Sequence, residues 1–203
     1  MAIDLQAESA YGRIVGTALE GFARDGVKAT TIRDVAADAG VSPGLVQHYF
    51  ASKSALRAAV DEHVTEVARE ALAVREIEGD VIEDLAERLT ALVADHFLAL
   101  LYVARGVSER DEAALAIFDT LTKLCRDQLA KLQREGMLRR DLDLEWAALH
   151  TVLINLGTVI MEPGVSDQLR RPFLAKRQVE RWKQATTALF VAGELRRPGE
   201  QPR

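Results

Sequence analysis

The sequence predicts an all-α protein, with a small N-terminal head of three helices followed by a larger helical body. Three observations carry this. Apolar residues return every three or four positions along almost the whole chain, and no stretch alternates strictly as a half-buried strand would. Ala, Leu, Glu and Arg recur throughout, with only five prolines among 203 residues. Residues that start and stop helices stand between the periodic stretches. The expected division is a head over residues 9–69 and a body over residues 70–203.

In the head, Ile14, Ala18 and Phe22 share one face of a helix from Ser9 to Arg24, and Gly26 follows as its stop. Thr31 stands three residues before Asp34, the spacing of a capping box, and Ile32, Val35 and Ala36 share the next apolar face. Gly40 suits a left-handed turn, and the apolar Val41 can pin it. Ser42 caps the following helix and Pro43 fits its first position. Val46 and Phe50 turn that helix back to the core and leave Leu45, Gln47, His48 and Tyr49 facing outward. Ser52 is the N-cap of a long helix from Lys53 to about Glu76.

A break follows at "EGD", residues 78–80. From Val81 to Leu101 the apolar stripe fits one long helix or two joined by a bend. "RGVSERD" at 105–111 reads as a loop. Leu115, Phe118, Thr122, Cys125, Leu129 and Leu132 mark the next stripe, stopped by Gly136. "RRDLD" at 139–143 is polar. Leu144 to Met161 is apolar on nearly every side and is expected to be buried on two faces. "EPGVSDQ" reads as a loop, Pro172 as a first helical turn, and Val179, Trp182, Thr186 and Leu189 as a last amphipathic helix. The tail "RRPGEQPR" is expected to fray.

Composition narrows the function. Hydrophobic residues at 48% and charged residues at 28% are ordinary for a soluble globular protein. A net charge of -5 argues against a general nucleic-acid binder. The charge is uneven, however. Six Lys/Arg balance six Asp/Glu up to residue 60, so the whole negative excess lies beyond it. Cys125 is the only cysteine, which excludes an internal disulfide and a cysteine zinc cluster and suits the cytoplasm. The four histidines, His48, His63, His96 and His150, lack metal-ligand spacing. The start "MAIDLQAESAYGRIVG" is unlike a signal peptide, and the longest apolar stretch, Ala147 to Met161, is too short for a membrane span. No glycine-rich phosphate loop, nucleophile elbow or HExxH occurs, so neither an enzyme nor a cofactor is expected.

Two short capped helices joined through a glycine form a helix-turn-helix. In DNA-binding examples the start of the second helix enters the major groove while the first crosses the backbone. The outward set Arg33, Gln47, His48, Tyr49 and Lys53 favours that use. The alternative is a helical ligand-carrier or protein adaptor that never meets DNA and has no need of that set.

The run "TTIRDVAADAGVSPGLVQHYFASKSAL" resembles the signature of the tetracycline-repressor (TetR) family of one-component regulators, and the likeness covers roughly residues 9–60. It implies a homodimer with an N-terminal DNA-binding head and a C-terminal effector-binding and dimerisation body, in most cases a repressor that leaves a double-stranded operator when a small molecule binds. Carried over by position, the resemblance implies that Thr31 and Arg33 contact phosphates. Ser42, Pro43 and Gly44 would lie at the groove, with Leu45 and Gln47 at base edges. His48 and Tyr49 would meet phosphates or a base edge, and Lys53 a phosphate. Pro43 stands where the family often has Lys or Arg, and Gln47 where it often has Tyr. Gln can pair with adenine, so an altered base preference is expected.

In the body, an effector pocket for a small, largely apolar molecule is expected among Leu92, His96, Leu100, Phe118, Thr122, Cys125, His150 and Asn155. The plainer reading makes the polar ones core groups satisfied by backbone or water, and Cys125 a small buried hydrophobe. The helix Leu144–Met161 and the helix around Trp182 are expected to pair with their copies, with Trp146, Leu153, Leu156, Val159, Trp182 and Leu189 at the interface.

Overall fold

The structure is a computed structural model and describes residues 10–74 and 81–193. Its described residues form ten α-helices and no strand. The chain divides into two compact units. One joins Met1–Ala68 to Leu98–Phe118, and the other joins Arg69–Phe97 to Asp119–Arg203. The divisions fall inside helices, so each unit takes parts of the chain far apart in sequence.

The first unit holds α1 (Ala10–Arg24), α2 (Ile32–Asp38), α3 (Pro43–Tyr49), most of α4 (Lys53–Leu72), α6 (Phe97–Ser108) and the start of α7 (Glu112–Arg134). Helix α1 buries Ile14, Val15, Ala18 and Phe22, a stripe at helical spacing, and stops before Gly26 at φ +92°. Val46 and Phe50 enter the same core as expected, at 0% and 5% exposed. Helix α6 runs to Ser108, so Arg105–Ser108 is helical and the break before α7 is shorter than expected. Gly106 explains this: a Cβ there would lie 2.4 Å from the Cβ of Ala114, so its bare backbone is what lets α6 and α7 approach. The Arg105 guanidinium donates to the carbonyls of Ala23, at 3.0 Å, and Arg24, at 2.6 Å, which satisfies the C-terminal end of α1.

The second unit holds the end of α4, α5 (Val81–Asp95), most of α7, α8 (Leu144–Ile160), α9 (Glu162–Leu169) and α10 (Lys176–Gly193). Helices α5 and α6 are separate and break at His96. Helix α7 ends in the glycine turn expected at Gly136 (φ +78°), where Met137 N–H reaches the Leu132 carbonyl. The segment read as a loop, "EPGVSDQ", is helix α9, bent from α8 by 70°. Pro163 sits in its first turn, where a missing N–H costs nothing. Pro172 does not open a helix; α10 starts at Lys176, after Phe173 has entered the core with its N–H on the Ser166 hydroxyl at 2.7 Å. The break expected at 78–80 lies outside the described residues.

Candidate functional site

The helix-turn-helix is built locally as its sequence dictates. Thr31 and Asp34 form a reciprocal capping box: Asp34 N–H donates to the Thr31 hydroxyl at 3.2 Å, and Thr31 N–H to the Asp34 carboxylate at 2.8 Å. These bonds hold the Asp34 carboxyl below its ordinary value. After α2, Gly40 takes φ +65° while Gly40 N–H meets Ala37 O and Val41 N–H meets Ala36 O, the paired bonds of a Schellman turn. Ser42 then accepts from Leu45 N–H at 3.1 Å, and Pro43 opens α3. Two capped ends and one left-handed glycine leave little freedom in the angle between α2 and α3.

That geometry presents the expected set. Thr31, Arg33, Ser42, Pro43, Gly44, Gln47, His48 and Tyr49 are exposed; Leu45 and Lys53 are half-buried. Ser52 caps α4 through Ala55 N–H at 3.1 Å, and Lys53 Nζ reaches the Lys28 carbonyl at 3.2 Å. The Tyr49 ring stands edge-on to Tyr11, centroids 5.9 Å apart, and Tyr11 also packs on Phe50 at 5.3 Å. Tyr11 was not among the expected residues. Its signal is its place one turn before Ile14 on the buried side of α1, where an aromatic with a polar tip can brace an exposed neighbour.

A second feature of this unit has no forerunner in the sequence reading. One turn after Lys53, the Arg57 guanidinium bonds Asp111 and also donates to the Tyr102 hydroxyl at 3.3 Å. Tyr102 donates in turn to Asp61 at 2.6 Å. Burial alone would lower Arg57, but its bonds to Asp111 and Tyr102 raise it above its ordinary value. Burial pushes Asp61 up, against the Tyr102 hydrogen bond and the Arg57 charge. For Asp111 burial is likewise outweighed, and the Arg57 hydrogen bond leaves its carboxyl lowered. The network ties the first turns of α4, which carry Lys53, to α6 and the start of α7. Its members lie up to 54 residues apart, beyond the reach of periodicity.

In the second unit a cavity opens between α5, α7, α8 and α10. It encloses about 90 Å³ of space open to the centre of a water molecule, against about 10–15 Å³ for one water. Leu72, Leu85, Leu89, Leu129, Leu138 and Trp182 are among its lining residues, with Gln128 and Cys125. Of the eight residues expected at a pocket, Cys125 alone lines it. Leu100 and Phe118 belong to the other unit. Leu92 is buried away from the cavity, and Thr122 is half-buried on another side of α7. His96 is exposed at the break between α5 and α6, and His150 is exposed on α8 with its ring 5.6 Å from Trp146. Asn155 is buried, its amide donating to the Thr151 carbonyl at 2.7 Å.

Burial pushes the Cys125 thiol up to about 12, against the pull of the Arg88 charge. An ordinary thiol titrates near about 8.5. The folded protein at about pH 8 is therefore expected to resist iodoacetamide over a period in which the unfolded chain labels fully. Mass spectrometry of quenched samples checks this, and labelling at the unfolded rate would contradict it.

The residues expected at a dimer interface divide. Trp146, Leu153 and Leu189 are exposed, at 57%, 50% and 67%. Leu156 and Val159 are buried within the chain, and Trp182 is half-buried at the cavity, edge-on to Phe173 at 5.9 Å. Helix α8, expected to be buried on two faces, is apolar on two but buried on only one of them in the single chain. One carries Ala148, Val152, Leu156 and Val159 into the core, and the other carries Trp146, Leu153 and Ile160 outward. Among the described residues no group could hold a metal ion, and no single helix is long and apolar enough to cross a membrane.

A capped helix-turn-helix at the start of an all-helical chain, its second helix displaying amide, imidazole and phenol side chains beside basic ones, defines a helix-turn-helix protein with a helical body. Residues 14–60 match the family described as bacterial regulatory proteins, tetR family. Over this segment the chain is of the TetR family. It is 30% identical over 135 residues to the HTH-type transcriptional regulatory protein RaaS of Mycobacterium tuberculosis, a span of 66% of this chain and 62% of RaaS. It is 42% identical over 57 residues to the HTH-type transcriptional repressor KstR2 of the same organism, 28% of this chain and 27% of that one. The chain thus spans less than two thirds of the length of these curated relatives. A solved structure of KstR2, titled a ketosteroid transcriptional regulator, superposes with a TM-score of 0.66 at 22% identity, covering 95% of this chain and 98% of that one, and shows the shared fold. Another, titled for the control of antibiotic production by bacterial hormones, gives 0.67 at 27% identity over 94% of this chain and 100% of that one.

Proposed function

We propose that this protein is a one-component transcriptional regulator that binds a palindromic operator as a homodimer and leaves it when a small, largely apolar effector binds. The observation that carries this reading is the exposed set Arg33, Gln47, His48 and Tyr49 on the two capped helices, with Lys53 beside it. The adaptor alternative leaves these side chains without a task. Relatives named as a regulator and a repressor support the direction of the effect. The cytoplasm is the matching compartment. The outward stripe Trp146, Leu153 and Ile160 on α8, with Leu189 on α10, is the surface we assign to the second copy. Two heads related by a two-fold axis meet major grooves about 34–36 Å apart, hence the near-palindrome.

Retention on random duplex DNA at low salt, weakening steeply as salt rises, tests the reading directly. No retention at any salt would favour the adaptor. Two variants then separate positioning from readout. Lys53→Ala is expected to weaken binding to all duplexes alike, because a phosphate contact carries no base information. Gln47→Ala is expected to relax preference at one base pair per half-site, by about 1–3 kcal/mol. Site selection from a random pool, run with both variants, measures this. An unchanged consensus with Gln47→Ala removes Gln47 from base contact.

A further inference from the structure

The second unit's cavity holds one polar side chain that the fold does not explain. Gln128 is 5% exposed and lines the cavity, yet neither its Nε2 nor its Oε1 meets a protein partner. A buried amide with both ends unmatched is costly, and such groups persist where a ligand or water completes them. Four other polar side chains on the wall are committed. Thr90 and Thr151 donate their hydroxyls to helix carbonyls, Ala86 at 2.6 Å and Ala147 at 3.0 Å. Arg88 donates to the carbonyls of Ala71, at 3.2 Å, and Ala73, at 2.7 Å, with Asp84 at 3.7 Å. Lys183 is held by Glu83 at 3.0 Å and Glu180 at 3.5 Å. Each cation on the wall therefore has its own carboxylate, and the Cys125 thiol stays neutral at physiological pH. The remaining wall is mainly leucine and Trp182.

We propose that this cavity binds a small neutral molecule with a short apolar body and one amide-like head, a donor and an acceptor side by side, and that Gln128 recognises that head through both ends of its own amide. A primary amide or a lactam has this chemistry. A carboxylate would set a charge against Gln128 Oε1 and find no uncompensated cation. An ammonium would find a matching oxygen but leave Nε2 unmet, and its charge would lie in an apolar wall. The space suits a body of several carbons. The inference deepens the effector half of the regulator reading and rests on it for the biological purpose of the cavity, while the binding itself is measurable without DNA.

Calorimetric titration of the full chain with hexanamide, hexanol, hexanoate and hexylamine tests it. Hexanamide is expected to bind roughly tenfold or more tightly than hexanoate and hexylamine, and more tightly than hexanol, which cannot match both ends of the amide as well. Gln128→Leu keeps the side chain's bulk and removes the amide. It is expected to weaken hexanamide roughly tenfold or more while changing hexanol less. The ligand series on the native chain stands alone if that variant does not fold. Tighter binding of hexanoate or hexylamine, binding of none of the four, or unchanged hexanamide affinity in a folded Gln128→Leu protein would each overturn the proposal. Duplex retention, measured separately, distinguishes the two readings. Retention without amide binding defeats the cavity inference and leaves the regulator; amide binding without retention does the reverse.

Discussion

Leu153→Glu is expected to turn a dimer into a monomer and to lower operator affinity by about 10²–10⁴-fold, the advantage that linking two binding heads confers. Trp146, Leu153 and Ile160 recur at intervals of seven along one face of α8, and all are exposed in the single chain. The opposite face of the same helix is closed inside the core by Ala148, Val152 and Val159. A carboxylate at position 153 would be cheap in a monomer, where water reaches it. Pressed against a second apolar stripe it would lose that water without gaining a partner. Sedimentation velocity reads the assembly and fluorescence anisotropy reads the DNA. Gln168→Glu, an equally exposed change on α9, is the control and should alter neither. A Leu153→Glu protein that still sediments as a dimer would dismiss this face as the interface.

Gly106→Ala is expected to destabilise the protein by about 1–3 kcal/mol, the usual range for overpacking. At this chain length each kcal/mol lowers Tm by about 2–4 °C. The added Cβ would stand 2.4 Å from the Cβ of Ala114. Neither atom can rotate away, so backbone must move. Ala114→Gly opens the space again. The double variant moves one helical glycine from α6 to α7, so the cost of about 0.5–1 kcal/mol for a helical glycine cancels; it should lie close to the native chain and above the two single effects summed. Gly16→Ala is the matched control, since a Cβ there meets nothing within 4 Å and should be neutral or slightly stabilising. Urea unfolding of the four proteins measures the coupling. Strict additivity would mean that α6 and α7 do not touch at this point.

The helix-turn-helix was legible because its determinants are local. A capping box closes over three residues, a Schellman turn over five, and Pro43 acts on its own backbone. Each contact forms whatever the rest of the chain does, so Thr31, Gly40 and Ser42 announce the motif in one dimension. The exposed sides of α2 and α3 follow from the same periodicity. The apolar character of α8 on two faces was legible too, because its composition admits no polar face.

The stripe of α7 shows where this reading stops. Leu115 and Phe118 fit a helical stripe by hydrophobicity, but Leu115 is 42% exposed and the buried line runs through Ala114, Ile117, Leu121, Cys125, Gln128 and Leu132. The expected and the buried lines differ over the first half of α7 and coincide at Cys125, Leu129 and Leu132, with Gln128 buried among them. On α7 the difference removes Phe118 and Thr122 from the cavity wall and leaves Gln128, a polar residue outside any apolar count, on it. Similarly, Gly106 and "EPGVSDQ" carry loop-like composition, yet one is a contact point between helices and the other a helix.

By itself the sequence determined an all-helical chain, the two capped helices of its head, and the side chains those helices turn outward, because these depend on bonds between near neighbours and on a period of 3.6 residues. The tertiary structure decided which residues share a cavity, which face of α8 stays open, and that Arg57, Tyr102, Asp61 and Asp111 form one network. Those outcomes depend on how residues tens of positions apart are brought side by side, and that proximity is set by packing the helices together rather than by any one helix's own pattern.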